Sequence, residues 1–510
     1  MDASFPLVDT RGLLTGDLNS FLLRPTTDRV SRLKKTSLRI VSITAALLAS
    51  MAALLVQYAQ VKPGFVRAAD SRPNILFVLT DDLDDRASSM AHMGALRSLV
   101  THRGVTLKNA YVTQSLCSPA RASILRGQYP HNTGVTSNAR GEYADFASSG
   151  REASTYATWV HGAGYQTAYF GKYLNGYGTM RMPPGWDRWF AGSARATTER
   201  FNDQGTEARY DPSKHLYEDI LRDKALAWLK NRDRSKPFLA VMATHAPHTP
   251  ATPAPRHASL FPNAELPKPP SFDEKDVSDK NGWIRQRSLL GRSRIDDMKR
   301  LHRRRLRVME GVDEMLKAVL SELRDEGELS NTYVFFTSDN GFHFGEHRFR
   351  EGKGTSYQED IAVPMIVSGP GVAKGVTRPQ IVLDQDLGPT FAEIADARTP
   401  SFVDGRSFLS VLGAGPPSSS RWRSAFLINS PHTDKTRWLK SMPKNLALRT
   451  SRYEYIDYAR GKSELYNTGR DPYQTHSLMA NPPDALTQLG NRLKKLRDCK
   501  GAACKAAEGP

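Results

Sequence analysis

The chain has 510 residues, 39% of them hydrophobic, and a formal net charge of +18 at pH 7. This length is enough for a large core and more than one domain. A basic balance fits nucleic acid, an anionic surface or an acidic substrate. The chain contains no nucleic-acid motif, and its positive charge is spread along its length. We therefore expect an anionic partner other than nucleic acid.

The first 69 residues are predicted to form a basic cytoplasmic segment followed by a signal peptide or a membrane anchor. Four basic residues between positions 32 and 39 precede an uncharged run from 40 to 61. A membrane span needs about 20 apolar residues and a signal-peptide core about 7–15. The run is long but contains polar residues, and a small-residue site follows at Ala68-Ala69. Cleavage and anchoring both stay open, and in either case the protein is expected to be exported: secreted, periplasmic or anchored at the cell surface.

Apolar runs alternate with helical stretches from Arg72 onward. Runs typical of strands buried on both faces span 74–80, 165–170, 238–243, 333–337 and 363–367. Helices are predicted at 216–229 and 305–323. This alternation predicts an α/β domain around a mostly parallel sheet flanked by helices, which we place at 70–415.

A smaller domain is predicted at 416–510, after a linker rich in glycine, proline and serine at 413–420. Residues 446–458 are typical of a short antiparallel sheet, and residues 485–496 of a final basic amphipathic helix. Two earlier segments are predicted to be loops inserted over the functional site. One is polar and aperiodic, at 197–214, and the other is rich in proline, at 245–280.

Polar side chains follow two of the predicted strands. Asp81 and Asp82 end the first strand, and Asp339 and Asn340 follow the strand at 333–337. Ligands collect outside the carboxyl ends of strands in open α/β sheets, and three acids brought together there need a cation between them. Oxygen ligands suit Ca²⁺ or Mg²⁺ rather than Zn²⁺. Either pair alone would indicate a helix cap or a turn.

The run Cys117-Ser118-Pro119-Ala120-Arg121, continued by Ala-Ser-Ile-Leu-Arg-Gly-Gln-Tyr-Pro-His to residue 131, is the most specific motif of the chain. Proline is common in the first turn of a helix, which predicts a helix from about Cys117 through Ile124. Its N-terminus would offer N–H groups to an anion. Of the three cysteines, Cys499 and Cys504 could pair, which leaves Cys117 for chemistry.

This motif and its continuation resemble the signature of the type I sulfatases. The resemblance implies an alkaline-phosphatase-like fold and a Cys117 that a maturation enzyme oxidises to formylglycine, whose hydrate is the nucleophile. It implies Ca²⁺, with Mg²⁺ as the other possibility. Lys172 and Lys353 would stabilise the sulfuryl oxygens, His248 would protonate the departing alcohol, and Arg121 would hold the hydrate. The implied metal ligands are Asp81, Asp82, Cys117, Asp339 and Asn340.

One position departs from many sulfatases, which carry a histidine two residues after the lysine that matches Lys172. Here Leu174 occupies it, so Asn175 or another histidine is expected to orient the hydroxyl of the hydrate. The form Lys-Tyr-Leu-Asn, with the segment 283–286, is similar to the N-acetylglucosamine-6-sulfatase branch. His343 and His347 are further candidates for groups in or next to the metal site.

The sequence therefore predicts a sulfuric ester hydrolase acting on a sulfated carbohydrate or an aryl sulfate. The nearest alternative is a phosphonate or phosphodiester hydrolase of the same superfamily. Another is a catalytically silent surface protein that binds glycans. The basic stretch from Arg285 to Arg307 is either a solvated helix face or a surface that attracts a sulfated polyanion.

Overall fold

The computed structural model describes residues 46, 48–51, 70–86, 90–178, 180–192, 199–211, 215–430 and 441–510. The chain forms two compact units, Met1–Ala68 and Ala69–Pro510. The few described residues of the first unit are helical, and no helix in the described ranges is long and apolar enough to cross a bilayer. Most of the apolar run from 40 to 61 lies outside the described residues, so the signal peptide or anchor stays a prediction.

A ten-stranded sheet is the centre of the second unit. Its strands are β1 Asn74–Thr80, β2 Gly104–Tyr111, β3 Gln166–Lys172, β4 Arg188–Gly192, β5 Glu199–Asp203, β6 Thr206–Tyr210, β7 Phe238–Ala243, β8 Thr332–Ser338, β9 Met365–Ser368 and β10 Val376–Leu383. Their order in the sheet is β10-β2-β9-β8-β1-β7-β3-β4-β5-β6. The central strands β8, β1, β7, β3 and β4 are parallel, which confirms the predicted α/β class.

Both faces of this sheet are covered. All seven residues of β1 are buried, and Thr80 is paired with Ser338 of β8. Ile75 and Phe77 pack into one hydrophobic core, whereas Leu76 and Val78 pack into the other. This alternation explains why the central strands are continuous apolar runs in the sequence.

Eight α-helices of seven or more residues lie in the described part of the second unit. They are α1 Cys117–Arg126, α2 Arg140–Ser148, α3 Tyr156–Gly162, α4 Tyr217–Asn231, α5 Arg292–Asp325, α6 Leu387–Ile394, α7 Ala485–Arg497 and α8 Ala502–Glu508. Helix α5 begins 13 residues earlier than predicted, since its first turns are too polar to show a clear apolar stripe. Helix α7 matches its prediction to within one residue.

The polar segment at 197–214 was predicted to be an aperiodic loop, and this prediction is wrong for the described residues 199–211. They form the hairpin β5–β6, which extends the edge of the large sheet. Phe201 is buried and stacks on Phe190 of β4, with ring centroids 4.3 Å apart. Strand β6 is mostly exposed, as an edge strand is. Its sequence therefore lacks the alternation of apolar and polar residues by which a strand is predicted.

A second sheet is antiparallel and contains four strands in sequence order, as the short C-terminal sheet was predicted to be. They are β11 Ala425–Ser430, β12 Asn445–Thr450, β13 Tyr453–Tyr458 and β14 Glu464–Asn467. Glu464 is fully buried and accepts hydrogen bonds from the Tyr357 hydroxyl at 2.5 Å and the Asn281 backbone N–H at 2.6 Å. Cys499 and Cys504 form a disulfide. The boundary between a catalytic and a C-terminal domain near 415 stays a prediction.

Candidate active site

Four neighbouring parallel strands, β8, β1, β7 and β3, end at one edge of the large sheet. Each strand is followed by, or ends in, polar residues, and parallel strands bring their carboxyl ends together. This edge therefore assembles side chains that are distant in the sequence, such as Asp82 and Asn340, which are 258 positions apart. The residues delivered in this way are Asp81, Asp82, Lys172, His248, Asp339 and Asn340.

Helix α1 brings Cys117 to the same place. Leu116 is extended, with φ −140° and ψ 141°, and Cys117 is the first helical residue, so the predicted helix start is correct. The helix ends at Gly127, whose φ of 64° is left-handed. Every residue of α1 is buried, which fixes the position of Cys117 firmly.

The Cys117 sulfur lies between a cation and an anion. Lys353 Nζ is 2.7 Å from it, and Asp81 Oδ1 is 3.4 Å away. Burial, reinforced by the Asp81 carboxylate, raises the pKa of the thiol to about 12. An unmodified Cys117 is thus a neutral thiol at ordinary pH and a poor nucleophile.

Two lysines neutralise the adjacent carboxylates, Lys172 against Asp81 and Lys353 against Asp82. Burial alone would raise the pKa of Asp81, but Lys172 and neighbouring cations hold it well below its usual range. Burial likewise opposes ionisation of Asp82, whose pKa is lowered chiefly by Lys353. Both groups are therefore carboxylates at neutral pH.

Asp339 and Asn340 complete the cluster from β8. The Asp82 backbone N–H donates to Asp339 Oδ1 at 3.1 Å, and Asn340 Nδ2 donates to Asp82 Oδ1 at 2.7 Å. Burial, with the Asp81 charge, raises the pKa of Asp339 despite the nearby Arg121. Burial and the neighbouring Asp81 carboxylate therefore both disfavour a negative charge on Asp339.

Arg121 contacts the carboxylate cluster and the end of β3. Its Nε donates to Asp339 Oδ2 at 2.7 Å, and its Nη1 donates to the Lys172 carbonyl at 2.7 Å. The fully buried guanidinium therefore orients the carboxylate cluster and the end of β3. Nη2 has no hydrogen-bond partner among the described residues, and a contact with the hydrate stays a prediction.

His248 is the accessible member of the site. Its Nε2 is 3.7 Å from Asp82 Oδ2, and its side chain is 27% exposed, so a substrate can reach it. Its Nδ1 is 2.7 Å from the Thr249 carbonyl, which can only accept, so Nδ1 carries a hydrogen. Nε2 is therefore the atom that faces the carboxylates.

Arg305 is a supporting residue that sequence reasoning missed. It is fully buried and donates to the carbonyls of Asp82 and of Pro247, the latter at 3.0 Å. Asp82 has a φ of 70°, an unfavourable conformation for a residue other than glycine, and Arg305 helps to hold it. In the folded chain Arg305 lies on one buried stripe of α5 together with Met298, Leu301 and Val312.

Three other arginines of the basic stretch also have protein partners. Arg303 donates to the Ala264 carbonyl at 2.8 Å, Arg304 to that of Pro250 at 3.2 Å, and Arg307 to that of Leu260 at 2.6 Å. These hydrogen bonds connect the proline-rich segment to α5. Attraction of a polyanion by this stretch stays a prediction.

His343, His347 and Asn175 are the three further candidates that the sequence offered. His343 Nδ1 lies 2.7 Å from Asp360, and His347 Nδ1 lies 2.8 Å from Glu274, so both belong to buried polar pairs beside the Lys353 loop. The Asn175 backbone N–H donates to Ser118 Oγ at 2.8 Å. Its Oδ1 is buried without a hydrogen-bond partner in the described part of the chain.

The cluster fits a hard cation. Asp81, Asp82, Cys117 and His248 each offer an atom, and these atoms lie within 4.8 Å of one another. Asn340 Oδ1 is buried and receives no hydrogen bond from a described residue, so an amide oxygen is left over in the same cluster. Carboxylate and amide oxygens are the ligands that Ca²⁺ and Mg²⁺ prefer.

Comparisons with known proteins identify the family of the chain. The family model described as Sulfatase matches residues 73–397, and that for the C-terminal part of N-sulphoglucosamine sulphohydrolase matches residues 345–499. The chain belongs to the sulfatase family. This membership confirms the prediction of a sulfuric ester hydrolase.

Three individual proteins illustrate the similarity. Human N-acetylglucosamine-6-sulfatase is 31% identical over 86% of this chain and 87% of its own length. The Drosophila melanogaster homologue of the extracellular sulfatase SULF-1 is 34% identical over 71% of this chain, which spans only 33% of that protein. A structure solved in complex with its substrate D-glucosamine-2-N,6-O-disulfate has a TM-score of 0.72 and 25% identity, covering 85% of this chain and 98% of that one.

Proposed function

We propose that this sulfatase removes an O-sulfate ester from a sulfated amino sugar, preferentially at a 6-O position, with position 117 as formylglycine and with a bound Ca²⁺ or Mg²⁺. The observation that carries the proposal is the placing of Cys117. Its sulfur is buried at the start of α1, 2.7 Å from Lys353 Nζ and 3.4 Å from Asp81. A nucleophile at this position would lie next to the Lys353 ammonium, which can stabilise negative charge on the oxygens of a sulfuryl group.

Formylglycine would supply this nucleophile as its hydrate. The neutral state of the unmodified thiol supports the need for conversion, since burial raises its pKa to about 12. A maturation enzyme would act on the chain before α1 is enclosed, because Cys117 is only 1% exposed in the folded protein.

A divalent cation would be held by Asp81, Asp82, Asp339, Asn340 and the converted position 117. When bound, it would stabilise negative charge on the sulfuryl oxygens as a Lewis acid. The chain itself would contribute Lys172 and Lys353 as fixed positive charges in a buried site, where electrostatic interactions are strong. Arg121 would keep Asp339 in position.

His248 would act as the general acid. Its Nδ1 hydrogen is directed to the Thr249 carbonyl at 2.7 Å, so a proton for the leaving alcohol must come from Nε2 of the protonated ring. Its partial exposure places this atom where a sugar oxygen can approach. Asn175, whose buried Oδ1 lacks a hydrogen-bond partner in the described ranges, would orient the hydrate in place of the missing histidine.

The substrate class is supported by the relatives. One is an N-acetylglucosamine-6-sulfatase, and one structure contains a 6-O-sulfated glucosamine. A primary sulfate projects from its ring and can enter a narrow site. Export is supported by an extracellular relative and by the predicted N-terminal segment.

The test measures kcat/KM for glucosamine-6-sulfate, galactose-6-sulfate, an aryl sulfate and the matching aryl phosphate. The proposal requires sulfate to be released fastest from glucosamine-6-sulfate. An aryl sulfate preferred over both sugars would defeat the sugar assignment, and the aryl phosphate preferred over the aryl sulfate would favour the alternative hydrolase.

A further inference from the structure

The Asp360 carboxylate holds both sides of the segment that carries Lys353. Asp360 is fully buried in the short helix Gln358–Ile361. Its Oδ2 accepts hydrogen bonds from the Thr355 backbone N–H at 2.8 Å and from the Thr355 hydroxyl at 2.7 Å. Its Oδ1 lies 2.7 Å from Nδ1 of His343. The two oxygens of one side chain therefore contact two separate parts of the chain.

His343 is in turn bound to the residue that precedes Lys353. The His343 N–H donates to the Gly352 carbonyl at 2.8 Å, and the Gly352 N–H donates to the His343 carbonyl at 3.1 Å. Only two residues separate Gly352 from Thr355, and each residue has only two soft backbone torsions. Asp360 thus closes a ring of contacts in which the Lys353 backbone has little freedom to move.

The same segment is bound to the chain that leads into Cys117. Ser115 is buried two positions before Cys117, and its Oγ donates to the Thr355 carbonyl at 2.6 Å. Lys353 Nζ and the Cys117 sulfur, 2.7 Å apart, are therefore also connected through the backbone of their two segments. Thr355 belongs to both connections, and Asp360 sets its position.

We propose that Asp360 is a positioning residue for the reaction, which acts through Thr355 and His343 to hold the Lys353 ammonium against position 117. The inference rests on the proposed function, in which Lys353 stabilises negative charge on the sulfuryl oxygens. Such stabilisation requires the charged group to stay within about 0.5 Å of its productive place. A displaced ammonium should lower the rate of the chemical step more than it weakens binding of the ester.

The first experiment measures kcat and KM for an aryl sulfate, per molecule with a converted position 117, so that the result does not depend on the sugar assignment. Asp360→Asn keeps the shape of the side chain but not its charge. Its kcat should fall at least about tenfold, with a much smaller change in KM. Thr355→Val, which lacks the hydroxyl, should lose kcat in the same way, and Thr355→Ser should recover it.

A double-mutant cycle with Lys353→Met separates positioning from a merely structural role. If Asp360 acts through Lys353, Asp360→Asn should lower the kcat of the native enzyme and leave that of Lys353→Met nearly unchanged. Asp404→Asn is the matched control, because Asp404 is equally buried and accepts a hydrogen bond from the Tyr129 backbone N–H at 2.9 Å. Its effect on kcat should be the same in both backgrounds.

Equal fractional losses from Asp360→Asn in the two backgrounds, or a native kcat for this variant, would overturn the inference. A crystal structure of Asp360→Asn with unconverted Cys117 separates this failure from failure of the proposed function. A Lys353 ammonium displaced from the sulfur supports the positioning even if the native enzyme releases no sulfate. An Nζ–sulfur distance that stays at 2.7 Å refutes the positioning even if the variant has lost its activity.

Discussion

The Lys353 ammonium lies 2.7 Å from the Cys117 sulfur, and it also contacts the Asp82 carboxylate. One side chain thus joins the position of the nucleophile to the carboxylate cluster. It comes from the segment after β8, whereas Cys117 begins α1 and Asp82 follows β1. The site is complete only when these three parts of the chain are folded together.

Replacing Lys353 should therefore impair catalysis strongly. Lys353→Met removes a charge directed at the reacting group, and we expect kcat/KM for glucosamine-6-sulfate to fall by at least about 100-fold. Lys353→Arg should recover part of this loss, because it keeps the charge but not the compact ammonium. Lys374→Met, at an exposed lysine, is the matched control. Activity of Lys353→Met within a few-fold of the native value would contradict the role.

The carboxylate cluster should bind one divalent cation per chain. Asp339→Asn removes a carboxylate that is fully buried and paired with Arg121, so both metal content and rate should fall. Elemental analysis measures the content, and readdition of Ca²⁺ or Mg²⁺ after chelation measures recovery. Asp145→Asn, at an exposed carboxylate, should change neither quantity. Full activity in protein shown to be metal-free would rule out the site.

His302 should make the folded protein sensitive to mild acid. It is 3% exposed on α5, and burial, with Arg305 and Arg303, lowers its pKa to about 4. The unfolded chain binds the proton first, at about pH 6.5. The contribution of His302 to the free energy of unfolding is therefore complete above about pH 6.5. It decreases as the pH falls towards 4, by up to about 3 kcal/mol.

The variant His302→Gln cannot take up this proton. Its free energy of unfolding, from urea denaturation followed by circular dichroism, should decline less steeply than that of the native protein between pH 6.5 and pH 4. Parallel declines in the two proteins would show that His302 is not responsible.

The disulfide between Cys499 and Cys504 should stabilise the C-terminal region without taking part in catalysis. It closes a short loop, with a sequence separation of 5, so replacing both cysteines by serine should cost about 2 kcal/mol of stability. The kcat/KM of the double variant should equal that of the native enzyme. A large loss of kcat/KM at temperatures where the variant stays folded would contradict this separation.

The central strands and the edge that carries the site were predictable from the sequence. The bounds of β1 and β7 coincide with their predictions, because strands covered on both faces are continuous apolar runs. Asp81, Asp82, Asp339 and Asn340 meet as predicted, since parallel strands end together.

Other features depend on contacts that no local pattern encodes. The polar hairpin β5–β6 gains its stability from pairing with β4 and from the stacking of Phe201 on Phe190. The stretch from Arg285 to Arg307 has the composition of a solvated helix face, yet Arg305 is turned inward to two backbone carbonyls. The pairing of His343 and His347 with Asp360 and Glu274 also follows only from the folded chain.

Mass spectrometry of the peptide that contains position 117, combined with sulfate release by the same preparation, tests the central claim most directly. The account predicts that the fraction of molecules carrying the aldehyde or its hydrate equals the fraction that is active on glucosamine-6-sulfate. Protein with Cys117→Ala should release no sulfate. Full activity in a preparation whose position 117 is entirely free thiol would contradict the account.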